Sequence, residues 1–409
     1  MKKIFTWVSL ITILMTCLTS CFYPIIKMVN HEDKNIENMP DSFLVTFPLV
    51  IDDMNYFKVP CAINGGTPIQ LIVDTKATSL MQEGDIVKHK ATYFGKLPFS
   101  SRNAYNEKEP IRLYQFDSCS IEGFSLGSPL FKPISKKNLV HDIIKDGILG
   151  SNILKIGYWK FSIDDQKVTL FSKKDTNMIA SEIKGYTLIP HGIDYDQIQL
   201  SLPSFSDVQD FTLDLGFSGE IEINNKLAKS LMKVIPFKTI EILQSNQRKT
   251  IKHLFENQTI TWDGITISNC QLVNIPAVDG SYIGAQFMRR FNFILAYGGR
   301  VKHKIQDHLY IQQVQGFDSI QTEPYISKFG FKFKEKNNKI KIYEIEQNGI
   351  AQKQGLNLGD EIIAIDNGKF DISNNKQFIP YSDAKETLTI ETKDKTYTLT
   401  AACMIDKKN

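Results

Sequence analysis

Two aspartates stand at the ends of short apolar runs. Asp74 follows Leu71-Ile72-Val73, and Asp214 follows Phe211-Thr212-Leu213. A carboxylate at the tip of a buried strand is held rigidly, and two such groups a few ångströms apart cannot both ionise easily. They share one proton over a wide pH range, so one acts as base on a water while the other donates to a carbonyl. That chemistry requires neither a metal nor an organic cofactor. None is expected here: the seven His are scattered with no H-E-x-x-H, no C-x-x-C pair occurs, and phosphate-binding glycine loops are missing.

Each Asp needs an element to hold it, and the chain supplies that element twice. "NYFKVPCAINGGTPIQLIVD" reads as a strand over 56–63, a turn at 64–68 and a second strand reaching Asp74. "DQIQLSLPSFSDVQDFTLD" reads as a strand over 197–202, a turn at 203–208 and a second strand reaching Asp214. Further on, "DGILGSNIL" has a looser partner in "DGSYIGAQFM": an Asp-Gly turn, apolar residues, a Gly, then a short helical segment. Gly150 lies 76 residues past Asp74 and Gly284 lies 70 past Asp214, and a strand pair follows each. The agreement in order and spacing points to two duplicated all-β lobes.

An apolar strand ending in an Asp turn, followed some 70 residues later by apolar-apolar-Gly, twice in one chain, resembles the retropepsin-like aspartic peptidases. The resemblance spans roughly 44–315. It implies that Asp74 and Asp214 are the catalytic pair, carried on loops made of Thr75, Lys76 and Ala77 in the first lobe and Leu215 and Gly216 in the second. It also implies that Ile148-Leu149-Gly150 and Tyr282-Ile283-Gly284 pass behind those loops. A cleft-covering hairpin is expected after the first Asp, at 91–100, where Gly95 and Pro98 flank a turn. Two positions depart from the family pattern. Lys76 stands where the family has Gly, and Leu215 stands where it commonly has Thr or Ser. An ammonium about 4 Å from a carboxylate contributes on the order of 4 kcal/mol at an effective dielectric of ~20, which would keep the pair fully ionised. Either Lys76 turns to solvent and leaves a working pair, or the lobes bind peptides without cutting them. A serine enzyme is the rival: Ser218 sits in "GFSGE", but neither Gly-Asn-Ser-Gly-Gly nor G-x-S-x-G is present.

The tail reads differently. "YISKFGFKFKEKNNKIKIYEIEQNGIAQKQGLNLGDEIIAIDNGKF" gives strand, turn, strand, a short helix over Ile350–Gln354, a Gly355 stop and another strand. This resembles a PDZ domain over 324–405, with Lys328, Phe329, Gly330 and Phe331 in the place of its carboxylate-binding loop. The resemblance implies that protein C-termini add to the domain as an extra strand, their carboxylate held by backbone N–H groups. Gly330 would let that backbone come close, and one of the two Phe residues is expected in the core.

The N-terminus begins with Lys2-Lys3 and an apolar run shorter than the ~20 residues of a spanning helix. Leu18-Thr19-Ser20-Cys21 resembles the lipobox of bacterial lipoproteins. That implies a signal peptide over 1–20, acylation of Cys21, a membrane partner through the lipid, and a place in the bacterial cell envelope. An ordinary cleaved signal with Cys21 incidental is the alternative. Residues 21–43 read as a polar tether, 44–180 as the first lobe and 181–318 as the second. Of the remaining cysteines, Cys61, Cys119, Cys270 and Cys403 read as isolated buried thiols, although oxidation could join Cys61 to Cys119. A net charge of +3 spread over 409 residues with Lys, Arg, Asp and Glu interleaved gives no reason to expect nucleic acid. The expected partner is a polypeptide, as substrate or as ligand. The expected architecture is mainly β: two pseudo-symmetric aspartic-peptidase-like lobes, then a PDZ-like barrel with a short helix.

Overall fold

The computed structural model describes residues 23–52, 54–102, 108–134, 144–194, 197–202, 204, 210–244, 249–278, 280–297, 308–316, 327–336, 339–366, 368–369 and 386–400. The architecture is mainly β, with short helices. The chain divides into two compact units that interleave in sequence. One holds the residues up to Val50, then Phe57–Ile198 and Phe291–Val314; the other holds Ile51–Tyr56, Gln199–Arg290 and the chain from Gln315 onward. The strands that follow Gly284 therefore belong to the first unit and not to the lobe that precedes them in sequence.

In the first unit the strand Phe57–Ile63 alternates strictly, with Phe57, Val59, Cys61 and Ile63 buried and the residues between them partly exposed. This is the two-residue period of a half-buried strand. It pairs antiparallel with Ile69–Val73. That second strand has a parallel neighbour, Gly147–Leu149, on its other edge, so it lies within the sheet, and Leu71, Ile72 and Val73 are buried in succession.

A second sheet of the same unit runs in the order Leu44–Pro48, Lys167–Phe171, Tyr158–Ser162, Phe291–Ala296, His308–Gln313 and Thr187–Ile189. Its central antiparallel pair sets Lys160 opposite Ile294, each ten residues past its own Gly, Gly150 or Gly284. Trp159 faces Leu295 on one side and Phe161 faces Phe293 on the other. The duplicated segments thus meet about a local two-fold at Lys160 and Ile294. The Phe161 and Phe293 rings stack with centroids 4.6 Å apart at 14°, and Phe57 packs against both. Burying each ring contributes roughly 1.5–3 kcal/mol, and the stack adds about 0.5–1.5 kcal/mol.

The second unit is one sheet running through Asp210–Asp214, Tyr282–Gly284, Ile221–Glu222, Ile265–Asn274, Lys249–Trp262 and Lys238–Gln244. It passes directly into Lys339–Glu346 of the C-terminal domain. At the join Ile242 faces Glu346, Leu243 faces Ile345 and Gln244 faces Glu344. The Gln347 N–H donates to the Glu241 carbonyl at 2.7 Å. Leu243 packs into the apolar cluster of the C-terminal domain, which includes Phe329, Phe331, Ile345 and Leu356. Lys252, opposite Ile240, is buried; burial pushes its ammonium down to about 8 against the opposing pull of Glu344 and Glu222.

One expectation needs correction. The stretch read as a polar tether carries a helix over residues 23–37. Ile25, Met28 and Val29 stand at helical spacing, but the polar run over 30–35 interrupts the period before Ile36. Tertiary contacts hold the helix instead: Ile25 and Met28 pack on the cluster of Leu97, Leu113 and Leu130. The proposed signal segment and Cys21 lie outside the described residues, as does Cys403. Because the Phe161–Phe293 stack closes the centre of the six-stranded sheet, Phe293→Ala should cost about 3–5 kcal/mol. A guanidinium unfolding curve should show the midpoint falling accordingly.

Candidate active site

Asp74 opens a turn whose backbone is directed at its carboxylate. Oδ1 accepts the N–H groups of Lys76 and Ala77, each at 2.8 Å. Ser79 anchors the far side of the turn. Its N–H and hydroxyl both donate to Asn152 Oδ1, at 2.9 and 2.8 Å, and its Oγ accepts the Gly150 N–H at 2.9 Å. Asn152 in turn donates to the Leu130 carbonyl at 2.9 Å. Tyr297, buried, donates its hydroxyl to the Thr75 carbonyl at 2.7 Å. Lys173 holds the backbone of Tyr297 through its carbonyl and also donates to the Lys155 carbonyl at 2.8 Å. Ser79, Asn152 and Tyr297 were not singled out from sequence. The Ser151-Asn152 pair directly after Gly150 was the available signal.

The Asp214 loop is built the same way. In the first sheet Ile72 lies beside Ile148 and Val73 beside Leu149; in the second Thr212 lies beside Tyr282, Leu213 beside Ile283 and Asp214 beside Gly284. Counted from each Asp and its Gly, the registers are identical. In both, the residue after the Gly donates its N–H to the carbonyl three past the Asp: Ser151 to Ala77 and Ala285 to Phe217, each at 2.8 Å. Both glycines have φ near −98° and extended ψ, which any residue can adopt. Space is the constraint. A Cβ on Gly150 would collide with the Ala77 carbonyl oxygen and the Ser79 nitrogen. One on Gly284 would lie 2.6 Å from the Phe217 carbonyl oxygen and closer still to that of Gly219. Ser218 belongs to this crossed turn. Next to it a buried ion pair joins Glu220 to Arg290, and Glu220 Oε2 accepts the Gln271 N–H at 2.5 Å.

Asp74 is 8% exposed and Asp214 9%. Burial pushes the Asp74 carboxyl above its ordinary 3.8, outweighing the Ala77 and Lys76 N–H donors that pull it down. The Lys76 ammonium pulls in the same direction as those donors and is the weakest of these influences. What Lys76 supplies is its backbone N–H. Leu215 is fully buried, so the position that commonly carries a hydroxyl is filled by core packing, and Gly216 opens the turn closed by Phe217 N–H donating to the Asp214 carbonyl at 3.0 Å.

The segment read as a covering hairpin is one arm of it. Thr92–Arg102 is a single strand paired with Lys108–Gln115, and Gly95 and Pro98 fall at its two register shifts and not at a turn. The helix over 23–37 clasps this arm. Lys27 Nζ donates to the Phe94 carbonyl at 3.2 Å and sits 4.2 Å over its ring. Further along the helix, Asn35 donates to the Ser128 carbonyl at 3.2 Å.

In the C-terminal domain Gly330 takes φ +81°, where a side chain is strained. Its N–H donates to the Ser327 carbonyl at 2.8 Å, and the Phe331 N–H to Ser327 Oγ at 3.4 Å. Phe329 and Phe331 are both buried, where one was expected, because the loop folds under the helix Ile350–Lys353: Ala351 N–H donates to the Phe329 carbonyl at 3.0 Å. Lys328 lies over the Phe329 ring at 5.6 Å. The strand Phe331–Lys336 pairs along one side with Lys339–Glu346.

Residues 319–390 match the family model of the PDZ domain. A search of curated proteins gave no match. Among solved structures the chain is similar to a retropepsin-like aspartic protease from Rickettsia conorii, at 16% identity and a TM-score of 0.24, covering 32% of this chain and 93% of that one.

Two outcomes follow from this geometry. Ala at Gly150 or Gly284 must displace backbone, so each variant should lose stability well beyond the ~1 kcal/mol of an ordinary surface change; thermal unfolding would show it. The second concerns pH. A carboxyl whose folded value is raised favours the folded state below the unfolded value, and that contribution is lost as pH rises through the folded one. Asp74→Asn keeps an acceptor for both loop N–H groups and removes the cost of charging. Its stability relative to wild type should therefore rise from about pH 3 to about pH 7, measured by denaturant midpoints across that range.

Proposed function

We propose that this chain is an aspartic-type endopeptidase of the bacterial cell envelope, with Asp74 and Asp214 acting together on one water to hydrolyse peptide bonds. The supporting observation is the identical construction of the two Asp loops: same register, same N–H to carbonyl bond, same glycine crossing. Burial raises the Asp74 carboxyl above its ordinary value, which suits the donor of the pair, leaving Asp214 as base. Lys76 and Leu215 favour a second reading, a catalytically inactive relative that binds peptides or partner proteins through the same lobes. In both readings the PDZ domain engages protein C-termini, and acylated Cys21 anchors the chain to the membrane.

Casein turnover from about pH 3 to about pH 8 separates the two readings. Wild type should cleave, and Asp74→Asn and Asp214→Asn should each lose about 10²–10⁴-fold. A silent wild type with saturable peptide binding would instead establish the binder, and activity gained only in Lys76→Gly would identify Lys76 as the block.

A further inference from the structure

Cys61 and Cys119 sit on neighbouring antiparallel strands. Phe57–Ile63 pairs with Cys119–Ile121, placing Ala62 opposite Ser120 and Ile63 opposite Cys119. Cys61 lies two residues before Ile63, so its side chain leaves the same face of the sheet and meets Cys119 on the diagonal. Both thiols are fully buried, and their sulfurs are 2.6 Å apart. Cys270, the third buried cysteine among the described residues, has a different environment: its thiol is directed at the Ile267 carbonyl at 3.7 Å. We propose that Cys61 and Cys119 are joined by a disulfide in the working protein, and that Cys270 remains a thiol.

The bond would form by exchange with a disulfide oxidant of the exported compartment, such as oxidised glutathione or an enzyme disulfide. One cysteine thiolate attacks the oxidant, forming a mixed disulfide and releasing one oxidant thiol. The second thiolate attacks the mixed disulfide, closing the Cys61–Cys119 bond and releasing the other. Two protons leave the protein, and two electrons reduce the oxidant. Timing matters. In the folded, reduced protein, the hydrogen bond to Cys61 and burial push the Cys119 thiol well above its ordinary value, so the reactive thiolate is scarce and closure belongs to folding.

The two cysteines are 58 positions apart. Between them lie the Asp74 loop, the Glu83–Lys88 helix and both arms of the Thr92–Arg102 and Lys108–Gln115 hairpin. The bond therefore ties together both ends of the segment that carries the first carboxylate and its hairpin.

The test uses the full chain, refolded with oxidised glutathione, digested without reductant and mapped by mass spectrometry. A peptide joining Cys61 to Cys119, with Cys270 alkylated, is the expected result. Folded protein in which both Cys61 and Cys119 are alkylated once denaturant is added would overturn the proposal, as would linkage of either to another cysteine. A second measurement covers stability. Reductant should lower the denaturant midpoint of wild type and leave that of Cys61→Ala/Cys119→Ala unchanged. An equal response, or none in wild type, would also overturn it. Neither readout depends on peptidase activity.

Discussion

The crossing of backbone behind each Asp loop is the constraint on which this structure depends. At Gly150 and Gly284 one strand passes so close behind the loop that a methyl group has no place. That closeness puts the N–H of the next residue against the loop carbonyl and fixes the turn whose amides face the carboxylate. The flanking strands, the short helices and the strand pair beyond them are arranged so that this contact occurs twice with the same register. Burial of Asp74 within this loop raises its carboxyl above the ordinary value.

The strand pair at Lys160 and Ile294 shows the duplication by a second route. Strands related by repetition in the sequence meet there symmetrically, and the Phe161–Phe293 stack joins two different repeat positions, eleven residues past Gly150 and nine past Gly284. Departures from the repeat are therefore informative. Leu215 fills with hydrocarbon a place that Thr75 fills with a hydroxyl in the other copy. Next to the Asp214 loop, Glu220 and Arg290 form a buried charge pair. The two loops share the same backbone construction and differ in the side chains around it.

Much of this was legible in the sequence because it rests on order and spacing. The strands ending at Asp74 and Asp214, the apolar-apolar-Gly segments and the PDZ match at 319–390 all carry patterns that survive in one dimension. What escaped rests on contacts between distant segments. Tyr297 reaches Thr75 across 222 positions, and nothing in its surroundings marks it. The helix over 23–37 shows its period only in Ile25, Met28 and Val29 before the polar run over 30–35, and Ile25 and Met28 pack on the cluster of Leu97, Leu113 and Leu130. At Asp74 the spacing of Lys76 was visible and left two outcomes open, whereas the depth of burial that outweighs its charge was not legible.

The sheet that runs from Asp214 through Lys238–Gln244 into Lys339–Glu346 has a consequence for the integrity of the chain. A strand with an open side presents unpaired N–H and carbonyl groups and invites other chains to add to it. Here the PDZ domain covers that side at Ile242, Leu243 and Gln244, and Leu243 packs partly buried against its core. The domain is thus an edge cover for its neighbour as well as a module in its own right. A chain cut short before Gln315 would bare a hydrophobic strand edge and become prone to self-association.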